Sequence, residues 1–270
     1  MLALLSYTPQ GLTDVRTEGK GSGVDHDYDP IGRLVRQSDT FVGGIGNVTI
    51  DLAYNAASQI TERTRSNPGS GPGQADAYAW DGHADLEHSY NANGLNQYTR
   101  AGSDTLTYDD NGNLTSDGAT TFTYDLENRL VAASGAKSAN LRYDPLGRLY
   151  ELTRGTTTTR FLYDGDALVG EYDGSTTLVP TERYVHGSAA GIDDPLVWYD
   201  NGVARWLHAD HQGSITTVTH ASGAALWLNA YDEHGNPKST NKGRFQYTGQ
   251  AWLAEPRQVL TQSLKCLEDR

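Results

Sequence analysis

The pattern Tyr-[Asp/Asn]-x-x-[Gly/Asn/Ser]-x-[Leu/Ile] recurs along this chain and restricts its fold more than any other feature. It reads Tyr28-Asp29-Pro-Ile-Gly32-Arg-Leu34, Tyr54-Asn-Ala-Ala-Ser-Gln-Ile60, Tyr108-Asp109-Asp-Asn-Gly112-Asn-Leu114, Tyr124-Asp125-Leu-Glu-Asn-Arg-Leu130 and Tyr143-Asp144-Pro-Leu-Gly147-Arg-Leu149. Looser copies begin at Tyr90, at Tyr163-Asp164 and at Tyr231-Asp232. From Tyr90 to Tyr163 the successive steps are 18, 16, 19 and 20 residues, too regular for chance and too variable for a rigid solenoid.

Each copy predicts a β-hairpin. A strand ends on Tyr, the Asp or Asn side chain opens a tight turn by accepting backbone N–H groups, and Gly or Asn takes the position that needs positive φ. A second strand starts at the Leu. In Asp104-Thr-Leu-Thr-Tyr-Asp109 the period of two puts Leu106 and Tyr108 on one face and Thr105 and Thr107 on the other. Segments such as Ser134–Lys137 and Gly155–Thr158 read as the reverse turns between hairpins. A lone hairpin is marginal in water, so the units must stack into a continuous sheet that buries the Tyr and Leu faces.

Composition agrees. Thirty Gly and 16 Tyr against one Met and four Phe suit short strands and many turns, with Tyr carrying much of the buried aromatic area. A hydrophobic fraction of 37% points away from a thick core. The net charge of -13 repels phosphate backbones and excludes nucleic acid as a primary partner. The single cysteine, Cys266, forms no internal disulfide and reads as an incidental thiol. The apolar start Met1-Leu-Ala-Leu-Leu5 is too short for a signal-peptide core, and nothing approaches the ~18–20 apolar residues of a membrane span. Any export is expected to use a signal outside this chain or a route that needs none.

The copies, together with Arg183-Tyr-Val-His-Gly187, Trp206-Leu-His208-Ala-Asp210-His211-Gln-Gly213-Ser214, Trp227-Leu-Asn-Ala-Tyr-Asp-Glu-His-Gly-Asn236 and Phe245-Gln-Tyr-Thr-Gly-Gln250, resemble the YD-repeat and RHS-core family over about residues 5–255. The resemblance implies an all-β fold of stacked β-hairpins forming a curved, twisted sheet, a partial YD-repeat shell. In such proteins a strand-rich spiral closes around a C-terminal toxic polypeptide, which an aspartyl autoproteolytic segment releases. Here the pattern stops near Glu255. The family's Asp-Pro-x-Gly cleavage motif is replaced by Pro256–Arg270, which reads as a frameshifted or divergent tail with a short helix over 258–267. The expected organisation is therefore one sheet region over 1–255, an exposed Gly/Pro-rich loop near 67–74, and a tail over 256–270, with repeats missing at both ends.

Other motifs have plainer readings. His208-Ala-Asp210-His211 offers two imidazoles and a carboxylate, but no further ligand at suitable spacing for a metal, so Asp210 and Gly213 are read as setting a turn and the imidazoles as cross-strand partners. Asp109–Asp117 superficially resembles a calcium loop yet lacks the terminal glutamate, and Asp193-Asp194 would face opposite sides of a strand. No nucleophile elbow, phosphate loop or zinc helix is present, so no enzyme, cofactor or metal is expected. The leading expectation is a non-catalytic shell segment, secreted or at the cell surface in the intact protein. Its partners would be the toxin cargo or the remaining shell. The alternatives are a carbohydrate-binding or adhesion module using exposed tyrosines, and a degenerate gene product without activity of its own.

Overall fold

The computed structural model describes residues 3–18, 20–67, 89–174, 179–187, 194–232 and 234–253. Residues 68–74 of the expected loop, the whole tail over 256–270 with its expected helix and Cys266, and Asp193 lie outside the described residues. The described chain is a succession of antiparallel strands, and its one helical element is the three-residue turn Tyr247–Gly249. No helix among the described residues is long and apolar enough to cross a membrane. The chain divides into two compact units, one from residues 1–83 and 182–252, the other from 84–181 and 253–270.

The first unit contains two antiparallel meanders. One runs β1 (Ala3–Tyr7), β2 (Thr13–Glu18), β3 (Ser22–Tyr28), β4 (Leu34–Thr40), β5 (Val48–Tyr54) and β6 (Ile60–Ser66), each strand beside its sequence neighbour. Residues 182–252 of the same unit add a second meander. Its strands, counted on from the seventeen that precede them in the chain, are β18 (Glu182–His186), β19 (Pro195–Asp200), β20 (Val203–Ala209), β21 (Ile215–Thr219) and β22 (Ala225–Leu228). Alternation along β5 buries Val48, Ile50 and Leu52, and Leu228 of β22 packs on them. All five residues of β21, one isoleucine, one valine and three threonines, are buried and β-branched, as a strand covered on both faces requires. The two meanders are also joined through backbone, with the Val42 amide donating to the Gly223 carbonyl at 2.9 Å.

The second unit opens with the small sheet β7 (Tyr90–Ala92), β8 (Tyr98–Ala101) and β9 (Asp104–Thr105). A longer meander follows: β10 (Thr107–Tyr108), β11 (Leu114–Ser116), β12 (Thr120–Tyr124), β13 (Leu130–Gly135), β14 (Ala139–Tyr143), β15 (Leu149–Arg154), β16 (Thr157–Asp164) and β17 (Ala167–Asp173). Its buried side chains come from alternating strand positions, among them Phe122, Leu130, Leu141, Leu152 and Phe161.

Three expectations are corrected here. Asp104–Asp109 is not one strand: the chain changes sheet at Leu106, whose amide turns back to the Thr99 carbonyl. The turn expected over Gly155–Thr158 is tighter, since Arg154 already pairs with Thr157. The tyrosines do not supply the core. Among the described tyrosines only Tyr184 is buried, because a ring at the last position of a strand lies along the sheet margin while the Leu, Val, Ile and Phe of strand interiors fill the centre.

Candidate functional site

The repeated chemistry sits at the hairpin ends. In five copies the last backbone pair joins the first and seventh residues of the motif: Tyr28 with Leu34, Tyr54 with Ile60, Tyr108 with Leu114, Tyr124 with Leu130 and Tyr143 with Leu149. A bulge precedes each pair, which adds local twist where the turn begins. Within the turn at Asp144, the Gly147 amide donates to the Asp144 carbonyl and the Asp144 amide to the Arg148 carbonyl, both at 2.9 Å. This geometry needs a left-handed residue at the fifth motif position. Gly147 has φ 82°, and Asn128 and Ser58 take the same place at 61° in their own copies.

The second motif residue secures the turn from inside. Asp144 Oδ1 accepts the Leu146 and Arg148 amides at 2.9 Å, and its Oδ2 accepts from Arg148 Nε at 2.7 Å. Asp29 with Arg33 and Asp125 with Arg129 repeat this bonding. Asp109 with Asn113 and Asp232 with Asn236 use an amide donor in place of the guanidinium. Where the acid is replaced, as at Asn55 and Asn93, the partner becomes Gln59 or Gln97, whose Oε1 accepts from the asparagine at 2.8 Å. Donor and acceptor thus stay matched although the residues change. These bonds hold the Asp29, Asp109, Asp125 and Asp232 carboxyls below the ordinary range; for Asp29 and Asp125 the largest cause is the amide of the arginine four residues on.

Tyrosine joins one hairpin to the one before it. The hydroxyls of Tyr28, Tyr54, Tyr124, Tyr143, Tyr163 and Tyr231 donate to the carbonyls of Thr13, Leu34, Leu114, Leu130, Leu149 and Ile215, at 2.7–3.1 Å. Each acceptor is the first residue of the neighbouring strand; the Tyr108 hydroxyl donates at 2.9 Å to Tyr98, the first residue of β8 in the small sheet. The carbonyls need this partner because the backbone ladder ends early. Between β13 and β14 the last pair is Ala132 with Asn140, two residues short of Leu130. The arginine of the preceding turn then covers the ring face: Arg33 over Tyr54 at 4.7 Å, Arg129 over Tyr143 at 4.9 Å, Arg148 over Tyr163 at 5.0 Å. Burial pushes the Tyr124 hydroxyl up to about 12, so it stays a donor.

The copies vary in ways the sequence pattern obscures. Asp164 belongs to a shorter hairpin, paired with Ala167 across a turn that uses Gly165 at φ 58°. The copy placed at Tyr90 is offset: Asn93 opens the turn, Ala92 pairs with Tyr98, and Tyr90 itself is exposed. Two further turns of the same build escaped the pattern. Thr8 takes the acid's place before Gly11, and His220 takes it before Gly223. Their signal was the positive-φ glycine, present without Tyr-Asp ahead of it.

The core motif resolves into a turn and a buried side chain. Asp210 Oδ1 accepts the Gln212 and Ser214 amides at 2.9 and 3.0 Å, and Gly213 has φ 85°. Asp210 lies just past the end of β20, in the turn, while His208 is on the strand. His211 is half-buried beside Asp210, and burial lowers its basicity. His208 is wholly buried, its Nε2 3.1 Å from Thr219 Oγ1 and 3.3 Å from Glu18 Oε2. Burial, ahead of nearby Arg16, drives its basicity far down, while burial raises Glu18 and Asp39 to about 7. Below about pH 7 the contact between Glu18 and the neutral imidazole is therefore an uncharged one. Nothing in the sequence flagged Glu18 or Asp39: β2 matches no motif, and Asp39 lies on β4 five residues beyond the motif's Leu34.

The remaining acidic sites are committed to turns. Asp109 is engaged as above, and Asp117 Oδ1 accepts the Ala119 and Thr120 amides at 3.0 and 2.7 Å. Among the described residues no three His, Cys, Asp or Glu side chains are grouped to hold a metal ion. Asp194 lies 3.9 Å from Arg16 Nη1.

A sheet of stacked hairpins whose Tyr and Asp side chains are spent on linking one turn to the next defines a structural repeat. The teneurin YD-shell model matches residues 22–167, more than half of the chain, and the chain belongs to that family. It is 30% identical over 165 residues to the tRNA3(Ser)-specific nuclease WapA of Bacillus spizizenii and 28% identical over 165 residues to the tRNA nuclease WapA of Bacillus subtilis. Each match covers 57% of this chain and 7% of the relative, so the chain spans a small part of those proteins. Among solved structures, the TcdB2-TccC3 crystal structure aligns with 94% of this chain and 17% of its own, at 14% identity and TM-score 0.49. The Photorhabdus luminescens Tc holotoxin pore aligns with 94% of this chain and 17% of its own, at 13% identity and TM-score 0.47.

Proposed function

We propose that this chain is a non-catalytic wall segment of a shell that encloses and delivers a C-terminal toxic polypeptide in the intact protein, which is secreted or displayed at the cell surface. The observation that carries the reading is the fate of the repeated polar groups. Each Asp29-type carboxylate is saturated by its own turn, and each Tyr54-type hydroxyl is bonded to the neighbouring strand. Side chains used this way support a wall and leave no nucleophile or base free at the repeats. The ring faces of Tyr54, Tyr143 and Tyr163, on which a sugar would stack, are covered by arginines, which favours the wall over a glycan-binding module.

On this reading the nuclease activity in the names of the relatives belongs to regions outside the matched repeats, which make up 7% of their length. The purified chain should therefore leave tRNA intact, and a downstream polypeptide in the intact protein should resist protease until the hairpins are broken. Cleavage of tRNA by the chain alone, or a cargo digested equally fast with the hairpins whole, would sink the reading.

A further inference from the structure

The first unit buries more acid than it neutralises. Glu18 on β2 and Asp39 on β4 are 1% and 2% exposed, and His208 on β20 is 0% exposed. Among the described residues one cation faces them: Arg16 Nε lies 2.7 Å from Glu18 Oε1, while its other nitrogens turn to the Leu207 carbonyl at 3.4 Å and to Asp194 at 3.9 Å. Gln37 Nε2 gives Asp39 Oδ1 a bond of 2.9 Å and gives the Ala209 carbonyl another of 2.8 Å. Neither oxygen of Glu18 has an aligned donor, and Asp39 Oδ2 and His208 Nδ1 have no hydrogen-bond partner. The rest of the surroundings add little compensation. Ser22 Oγ on β3 bonds the Glu18 carbonyl, Thr219 on β21 meets His208, and Phe41 sets its ring 4.8 Å from the imidazole. Asp210 acts on Asp39 with the same sign, His26 on β3 is held neutral by burial, and Arg63 and Arg65 of β6 act on His211.

This cluster lies between the two meanders of the unit. Arg16 and Gln37 reach from β2 and β4 to backbone carbonyls of β20, and Glu18 and Phe41 reach to its His208. An uncompensated charge in such a place disfavours the packing that buries it. We propose that Arg16, Glu18, Asp39 and His208 form a pH-operated clasp, which holds β2 and β4 against β20 while the two carboxyls carry protons and loosens as they lose them.

The sign follows from proton counting. Both acids hold their protons more tightly in the fold than in the open chain, so stability from them is full in acid and falls as pH rises from the ordinary carboxyl range to about 7. His208 works on the acid side, where an open chain takes up a proton that the folded imidazole refuses. The clasp is thus tightest in mild acid.

The test is amide hydrogen exchange on the full chain at about pH 6 and about pH 8.5, corrected for the intrinsic pH dependence of exchange. Peptides from 13–41 and 203–219 should lose about tenfold protection per carboxyl, while peptides from 120–164 keep theirs. Glu18→Gln with Asp39→Asn should remove the difference. Equal protection at both pH values, or a difference that survives in the double variant, overturns the proposal. Infrared spectra of the unmutated chain give a measurement that needs no variant: the carbonyl stretch of a protonated carboxyl should be present at about pH 6 and absent at about pH 8.5, and its absence at the lower pH also overturns it.

Discussion

The Tyr143 hydroxyl donates to the Leu130 carbonyl at 2.8 Å across the gap where β13 and β14 have stopped pairing. One side chain thereby closes the margin that two successive turns leave open. Tyr143→Phe keeps the ring and its arginine but leaves that carbonyl unbonded. It should cost about 0.5–1.5 kcal/mol in urea unfolding. A loss indistinguishable from zero would show that water replaces the phenol without penalty.

The turn pairs make a second expectation. Asp144 with Arg148 and Asn55 with Gln59 are two solutions to the same bonding problem. Asp144→Asn alone should set an amide donor against a guanidinium, and Arg148→Gln alone should strip the carboxylate of its partner. The double variant should be less destabilised than the sum of the two, although it, like Arg148→Gln alone, loses the cation over Tyr163. Strict additivity in a double-mutant cycle would count against matched pairing.

Acid should loosen the turns. The Arg33 amide, ahead of the Arg33 side chain, holds the Asp29 carboxyl below its usual value, and the Arg129 amide does the same for Asp125. A depressed folded value means that stability is fully present above the open-chain carboxyl range, about 3.9, and is lost as pH falls through the lower folded values. Melting temperature should therefore drop below about pH 4. Asp29→Asn with Asp125→Asn should flatten that drop, and an unchanged slope would reject the assignment.

Glycine is required for two distinct reasons. A Cβ on Gly32, at φ 86°, would meet only Leu12 Cδ1 at 3.6 Å, so Gly32→Ala should cost the left-handed backbone penalty of about 1–2 kcal/mol. A Cβ on Gly223, at φ 80°, would lie 2.8 Å from the Lys20 carbonyl and 2.9 Å from the Ser22 amide. Gly223→Ala should lower the melting temperature well beyond Gly32→Ala, because it also pushes the two meanders of the first unit apart. Equal losses would show that the backbone there yields.

What the sequence by itself determined is local. A tight hairpin is specified by residues a few positions apart, so Tyr, Asp, Gly and Leu at fixed offsets suffice to predict the turn at Asp144, the strand ending at Tyr143 and the strand starting at Leu149. Even the offset at Tyr90 is a local matter, since Asn93 and Asn96 form a good turn and outweigh the tyrosine three residues before Asn93. Tertiary structure decided what lies far apart in the chain. Only when strands from residues 13–40 and 203–219 pack together do Glu18, Asp39 and His208 lose water, and the same packing turns Gly223 from a plain turn residue into a close backbone contact. No short-range pattern records such meetings, because desolvation depends on which distant strand arrives and not on the neighbours in sequence.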